Sequence, residues 1–119
     1  MKLTSLQFFI LFLFINFFTI AYAGFYQADT MAEYCREYIK FINIESDADA
    51  YEAGVCSGYF ASKIEVMELS EQICHKGELN LDTIVKEFID LVDNDDAAKQ
   101  QSATYVAVRL LQNNFSCDD

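Results

Sequence analysis

The apolar residues of the chain recur at helical rather than alternating spacing from about residue 28 onward, which predicts an all-α fold. The spacing predicts a first helix from about Ala28 to Ile42 and a second from about Ala48 to Leu69. Asn80 caps a predicted third helix, and a fourth is predicted from roughly Ala97 to Asn114. The second helix is apolar around more of its circumference than the others, so we expect it to be the central helix.

Polar segments separate these predicted helices. Glu45 to Asp49 is a polar connector, and Ser70 to Asn80 is a loop around Cys74. The acidic run Asp93 to Asp96 ends the third helix and supplies caps for the fourth. The chain has no proline and only four glycines, which agrees with a helical domain.

Two of those glycines lie inside the second helix. Gly54 and Gly58 are four residues apart, so they share one side of the helix. Glycine weakens a helix interior, and a pair of them indicates close approach of another backbone. We expect Gly54, Gly58 and Tyr59 to be helix-packing residues that receive either the fourth helix or the same helix of a second copy in a homodimer.

Four cysteines are placed symmetrically along the chain. Two of them lie equally far from residues 45–46, and the other two lie equally far from residues 95–96. Residues equidistant from the turn of an antiparallel helix pair end up opposite each other. Of the three possible connectivities, the symmetry therefore favours Cys35–Cys56 with Cys74–Cys117. The predicted fold is a four-helix domain made of two αα-hairpins, each stapled by a disulfide.

The first residues have the pattern of an export signal. Lys2 is followed by an almost wholly apolar run from Leu6 to Ile20, and Ala21-Tyr22-Ala23 is a small-x-small cleavage site. We predict a signal peptide over residues 1–23 and a mature helical domain over residues 24–119. The alternative is an uncleaved membrane anchor. Cleavage would place a domain with no further membrane contact in an oxidising compartment, the periplasm, where disulfides persist.

The predicted mature domain is strongly acidic. Residues 24–119 carry seven basic and nineteen acidic side chains, a formal charge of −12. No basic patch is available to neutralise phosphates, which argues against a nucleic-acid partner. A basic protein surface is the natural complement.

The sequence offers few side chains that could catalyse a reaction or bind a metal. The single histidine, His75, adjoins Cys74, which we expect to be in a disulfide. A cysteine in a disulfide is not a nucleophile, so His75 has no catalytic partner to activate. A zinc site would need further Cys or His ligands at suitable spacing. The acids Asp93, Asp95 and Asp96 lack the ligand pattern of a calcium loop. We therefore expect no catalytic residue, no metal and no cofactor.

Several short motifs resemble those of the Rap/Tai family. The motifs are Cys56-Ser57-Gly58-Tyr59-Phe60, Ile73-Cys74, Leu81-Asp82-Thr83-Ile84-Val85 and Phe115-Ser116-Cys117. The chain departs from the family pattern in lacking prolines after Cys74, before the fourth helix and at Ser116, and in having Ser62 where a second glycine is common. The resemblance implies a small exported helical protein. The best-understood members are immunity proteins against peptidoglycan amidases delivered by type VI secretion.

The resemblance leads to a functional prediction: the chain binds a cognate amidase toxin and blocks its active-site cleft. A protruding, rigid element is needed for blockage, and the segment Glu71 to Leu79 is the first choice because a disulfide anchors it. The acidic turn is the second choice, because its charge can steer a basic amidase. The predicted partner-binding residues are Glu71, His75, Lys76, Gly77, Glu78, Asp93, Asp95 and Asp96. The alternative function is a periplasmic chaperone or stress-related binding protein.

Overall fold

The computed structural model describes residues 26–74 and 79–117, and this part of the chain is helical, as predicted. Its elements in chain order are α1 (Ala28–Ile42), α2 (Ala50–Leu69), α3 (Leu81–Asn94), α4 (Asp96–Lys99) and α5 (Ala103–Asn114). The described helices number five rather than four. The predicted signal peptide over residues 1–23 lies outside the described residues.

Short polar side chains begin most of these helices. Asp49 Oδ1 accepts hydrogen bonds from the backbone N–H groups of Tyr51 and Glu52, at 2.9 and 3.0 Å. Asn80 caps α3 through the N–H of Thr83 at 3.2 Å. Ser102 caps α5 in the same way. Each cap satisfies a backbone donor that has no partner inside its helix, so the polar connectors fix where the helices start.

The predicted fourth helix is divided into α4 and α5 by a contact with the residues at the start of α1. The N–H of Ala28 donates to the carbonyl of Gln101 at 2.9 Å, and the N–H of Ala103 donates to the carbonyl of Tyr26 at 2.8 Å. These two bonds form an isolated antiparallel bridge centred on Gln27 and Ser102. The bridge holds the backbone at Ser102 extended (φ −64°, ψ 141°), so one helix cannot continue through it.

Helix α1, rather than α2, occupies the centre of the domain. It packs against α2, α3, α4 and α5, whereas the main neighbour of α2 is α1. The core face of α2 is one stripe, Ala53, Cys56, Phe60, Ile64 and Met67. Other apolar residues of α2 face solvent, with exposures of 76% for Tyr51 and 79% for Leu69. The prediction of a central second helix was wrong, because apolar residues on the rest of its circumference, such as Val66 at 61% exposure, face solvent.

Both predicted disulfides are present. Cys35 and Cys56 join α1 to α2 with their Cα atoms 5.1 Å apart, and both residues are fully buried. Cys74 and Cys117 are joined with a Cα separation of 4.7 Å, and both are exposed. The first bridge staples a helical hairpin, as expected. The second links the segment after α2 to the chain beyond α5, so it lies outside the helices.

Helices α1 and α2 end in the same backbone motif. The N–H of Ile44 donates to the carbonyl of Phe41, and the N–H of Glu45 donates to the carbonyl of Lys40, at 3.1 and 3.0 Å. The corresponding bonds at the end of α2 come from the N–H groups of residues 71 and 72. This pair of bonds defines a Schellman motif. Its left-handed position is held by Ile44 in the first case (φ 60°) and by Glu71 in the second (φ 56°).

Candidate partner-binding surfaces

The segment that follows α2 is held at both ends. The carbonyl of Phe115 accepts a hydrogen bond from the N–H of Cys74 at 2.8 Å, and the disulfide to Cys117 lies beside it. Ile73 is only 2% exposed, which fixes the segment on the core. Glu71 is exposed, and its carbonyl oxygen lies 3.6 Å from Cys117 Sγ. Residues 70–74 are therefore held in place on the core, directly before the predicted contact loop.

Most of the predicted contact loop lies outside the described residues. These residues are His75, Lys76, Gly77 and Glu78. The chain is described again from Leu79, at the edge of an open groove of about 650 Å³ beside the start of α3. The groove is lined by Leu79, Asn80, Thr83, Ile84, Glu87, Asn114 and Phe115.

The acidic turn between α3 and α4 uses its carboxylates within the chain. Asp93 pairs with the guanidinium of Arg36 on α1. Asp95 caps α4 by accepting from the N–H groups of residues 97 and 98. Asp96 accepts from Lys99 Nζ at 2.9 Å, a hydrogen bond that lowers the pKa of Asp96 and raises that of Lys99. These side chains are nevertheless exposed, so their charges still act on an approaching partner.

The two glycines of α2 face outward. A Cβ atom placed on Gly54 or Gly58 would meet no atom of residues 26–74 and 79–117 within 4 Å. The expectation that another helix of the same chain packs on them is therefore not met. Tyr59 does link two helices, because its hydroxyl lies 2.8 Å from Thr104 Oγ1 on α5.

The turn between α1 and α2 is an exposed apolar feature that the sequence prediction treated only as a polar connector. Ile44 is 91% exposed and Phe41 is 54% exposed. The turn is braced from α1: Lys40 Nζ donates to Glu37 Oε1 at 2.8 Å, and Glu37 Oε2 accepts from the N–H of Asp49 at 2.9 Å. These hydrogen bonds hold the pKa of the Glu37 carboxyl below its usual value. An isoleucine directly before the polar connector was the available sequence signal.

A family model provides the decisive comparison. The model for Rap1a immunity proteins matches residues 27–117, which include all the described helices. The chain belongs to the Rap1a immunity protein family. The resemblance to the Rap/Tai family is thereby confirmed, and membership identifies the protein as an immunity protein against a type VI effector rather than an enzyme. No curated protein and no solved structure matches the chain.

An immunity protein acts through its surface, and the described surfaces of this family member fit that role. All four cysteines are in disulfides, and no group of three metal-ligating side chains lies together among residues 26–74 and 79–117. None of the helices described there is long and apolar enough to cross a membrane. The candidate surfaces are thus the loop base at Glu71, the acidic turn, the outer face of α2 and the turn between α1 and α2.

Proposed function

We propose that the chain is exported to the periplasm and neutralises a type VI secreted peptidoglycan amidase by binding it and blocking its active-site cleft. The match to the Rap1a immunity proteins carries this proposal, because it gives an effector toxin as the partner. An amidase acts on the cell wall, so its inhibitor must act outside the reducing cytoplasm. Two disulfides and the predicted signal peptide over residues 1–23 agree with that compartment.

Blockage requires an element that keeps its shape when it enters a cleft. The segment beginning at Glu71 is the first candidate, because the Cys74–Cys117 bridge and the bond from Cys74 to Phe115 restrict its base. A restricted loop loses less conformational entropy on binding than a free one. We place His75, Lys76, Gly77 and Glu78 in this contact. The acidic turn at Asp93, Asp95 and Asp96 is proposed to steer the encounter, because its carboxylates are exposed and attract a basic partner. Direct contact is the role of the loop, because the carboxylates of the turn are already paired or used as caps.

We also propose a homodimer through the outer face of α2. Gly54 and Gly58 leave room for a second backbone, and exposed apolar side chains flank them. Two α2 helices could pack antiparallel with the two-fold axis at the level of residue 60. Gly58 of one copy would then face Ser62 of the other, and Tyr51 would face Leu69, so that small residues meet small ones and apolar residues meet apolar ones. A two-fold dimer uses the same patch on both subunits.

The experiment is co-production of the full-length chain with the effector encoded beside its gene. Cells should survive a periplasm-directed effector only when the chain is present, and the purified chain should stop the release of cell-wall peptides by that effector. An effector that cleaves some other bond would contradict the amidase proposal. An unchanged rate of peptide release at saturating chain would contradict cleft blockage.

A chaperone would behave differently in one control. It would suppress the aggregation of reduced or heated proteins unrelated to the effector, whereas an immunity protein leaves such aggregation unchanged. Suppression without protection against the effector would replace the proposed function by the chaperone alternative.

A further inference from the structure

The turn between α1 and α2 presents the most exposed large apolar side chain of the described residues. Ile44 is 91% exposed, and Phe41, whose carbonyl accepts the N–H of Ile44, is 54% exposed. A single exposed apolar residue is ordinary on a protein surface. What distinguishes Ile44 is the backbone conformation in which it is held.

Ile44 occupies the left-handed position of a Schellman motif, with φ at 60°. Glycine is the usual residue there, because the left-handed region brings a Cβ atom against the backbone. A β-branched residue in that region is a genuine outlier. Because the side chain is exposed, contacts inside the chain do not offset the strain. Strained residues of this kind cluster at ligand-binding sites, where the surrounding structure holds them in place.

The surroundings of Ile44 do hold it in place. Lys40 binds Glu37 at 2.8 Å and approaches Asp47 to 3.6 Å, so one ammonium group links α1 to the turn. Glu37 also accepts from the N–H of Asp49 at the start of α2. The buried Cys35–Cys56 bridge joins the same two helices behind this network. The tip of the turn, formed by Phe41 and Ile44, is therefore preorganised, which lowers the entropic penalty of binding.

Acidic side chains follow Ile44 in the turn. Glu45 follows Ile44 directly and is exposed, and the Asp47 side chain is 72% exposed. Lys40 is the one basic residue between residues 37 and 62, and it is already paired with Glu37. The turn that follows Ile44 thus carries only negative charges, those of Glu45, Asp47 and Asp49. An apolar knob with a negative rim is complementary to an apolar socket with a positive rim.

We propose that Ile44 is an anchor residue for the effector, inserting with Phe41 into an apolar socket that basic side chains surround. This contact lies outside the loop after Glu71 and outside the acidic turn. It rests on the proposed function only in taking the effector as the partner, and it does not require that the effector be an amidase.

The test compares Ile44→Gly with Ile44→Leu in the full-length chain, using the effector encoded beside its gene. Glycine suits the left-handed backbone and removes the side chain, so we expect a melting temperature at or above that of the parent. Binding to the effector should nevertheless weaken at least about tenfold. Leucine keeps an apolar side chain without branching at Cβ and should bind within about threefold of the parent. A more stable fold that binds less well is an outcome that a purely structural role for Ile44 would not produce.

Other outcomes would overturn the anchor. Parental affinity in Ile44→Gly would exclude it, even if the effector proved to be an amidase. Loss of a parental dimer in Ile44→Gly, with effector binding intact, would assign Ile44 to a contact with a second copy instead. If Ile44→Gly weakened binding to an effector that is not an amidase, the anchor would stand and the proposed amidase target would fall.

Discussion

Tyr38 on α1 donates a hydrogen bond to Asp82 Oδ1 in the first turn of α3, across 2.6 Å. This bond ties the central helix to the helix that follows the predicted contact loop. Burial is the main cause that raises the pKa of the Tyr38 hydroxyl to about 12, and the bond to Asp82 adds to it. The proton on Tyr38 is therefore retained in the folded state at a pH where free tyrosine has lost it.

Replacing Tyr38 by phenylalanine should lower the free energy of unfolding by about 1–2 kcal/mol, because Asp82 loses a donor. The pH dependence should change as well. The pKa of Tyr38 is higher in the folded state than in the unfolded state, so its contribution is complete below pH 10 and is lost as the pH rises through 12. Urea unfolding at several pH values checks this. The same alkaline decline in parent and Tyr38→Phe would contradict the assignment.

The two disulfides should differ in their resistance to reduction. Cys74 and Cys117 are exposed, whereas Cys35 and Cys56 are fully buried, and thiolate attack requires access to a sulfur. Under a mild reductant with alkylation, we expect peptides from Cys74 and Cys117 to be labelled first. Equal labelling of all four cysteines at early times would show that the domain opens globally before either bridge is reduced.

Removing the buried bridge in the double variant Cys35→Ala and Cys56→Ala should lower stability by about 3 kcal/mol, from the closure entropy of a loop of this length. The corresponding variant at Cys74 and Cys117 should lose stability too, but its first effect should be on effector binding, because that bridge anchors the predicted contact loop. Thermal unfolding and binding measured on both variants separate the two roles. Unchanged binding without the exposed bridge would argue against the loop as the blocking element.

The contact loop itself is tested by replacing Lys76 and Glu78 together with alanine. We expect effector binding to weaken by about 1–3 kcal/mol, because a few central residues dominate most interfaces. Glu33→Gln, on the exposed side of α1, is the matched control and should leave affinity nearly unchanged. Glu37 is not suitable as a control, because it braces the turn at Ile44. Parental affinity in the loop variant, with its helical signal intact, would argue against the loop as the contact surface.

The proposed dimer predicts that a large charged side chain at Gly58 prevents self-association without unfolding the chain. Gly58→Arg points into open space in the monomer, and glycine is a poor helix former, so the helical signal should persist. Sedimentation should show a dimer for the parent and a monomer for the variant. A parent that remains monomeric at micromolar concentration would remove the dimer from the mechanism.

Local patterns were enough to predict most of the helices and both cysteine pairs. Helical periodicity is a short-range property, and symmetry about the turns translates directly into distance. The break at Ser102 was not predictable in this way, because it depends on hydrogen bonds from Ala103 to Tyr26 and from Ala28 to Gln101, which are far apart in the chain. The apolar residues of α2 suggested a central helix because composition does not distinguish a core face from an exposed apolar face. The left-handed conformation of Ile44 could not be predicted from residue propensities either, because they favour glycine at that position.

The positions of the two disulfides also determine what a protease can do to this protein. Residues 35–56 and residues 74–117 each form a closed covalent ring, and the two rings are connected by residues 57–73. A single cut inside either ring opens it but leaves one covalent molecule. Between Cys35 and Cys117, only a cut in the connecting stretch separates the chain into two pieces, and most of that stretch is the second half of α2. The second half of α2 is therefore most of the stretch between the two rings in which one nick would divide the molecule.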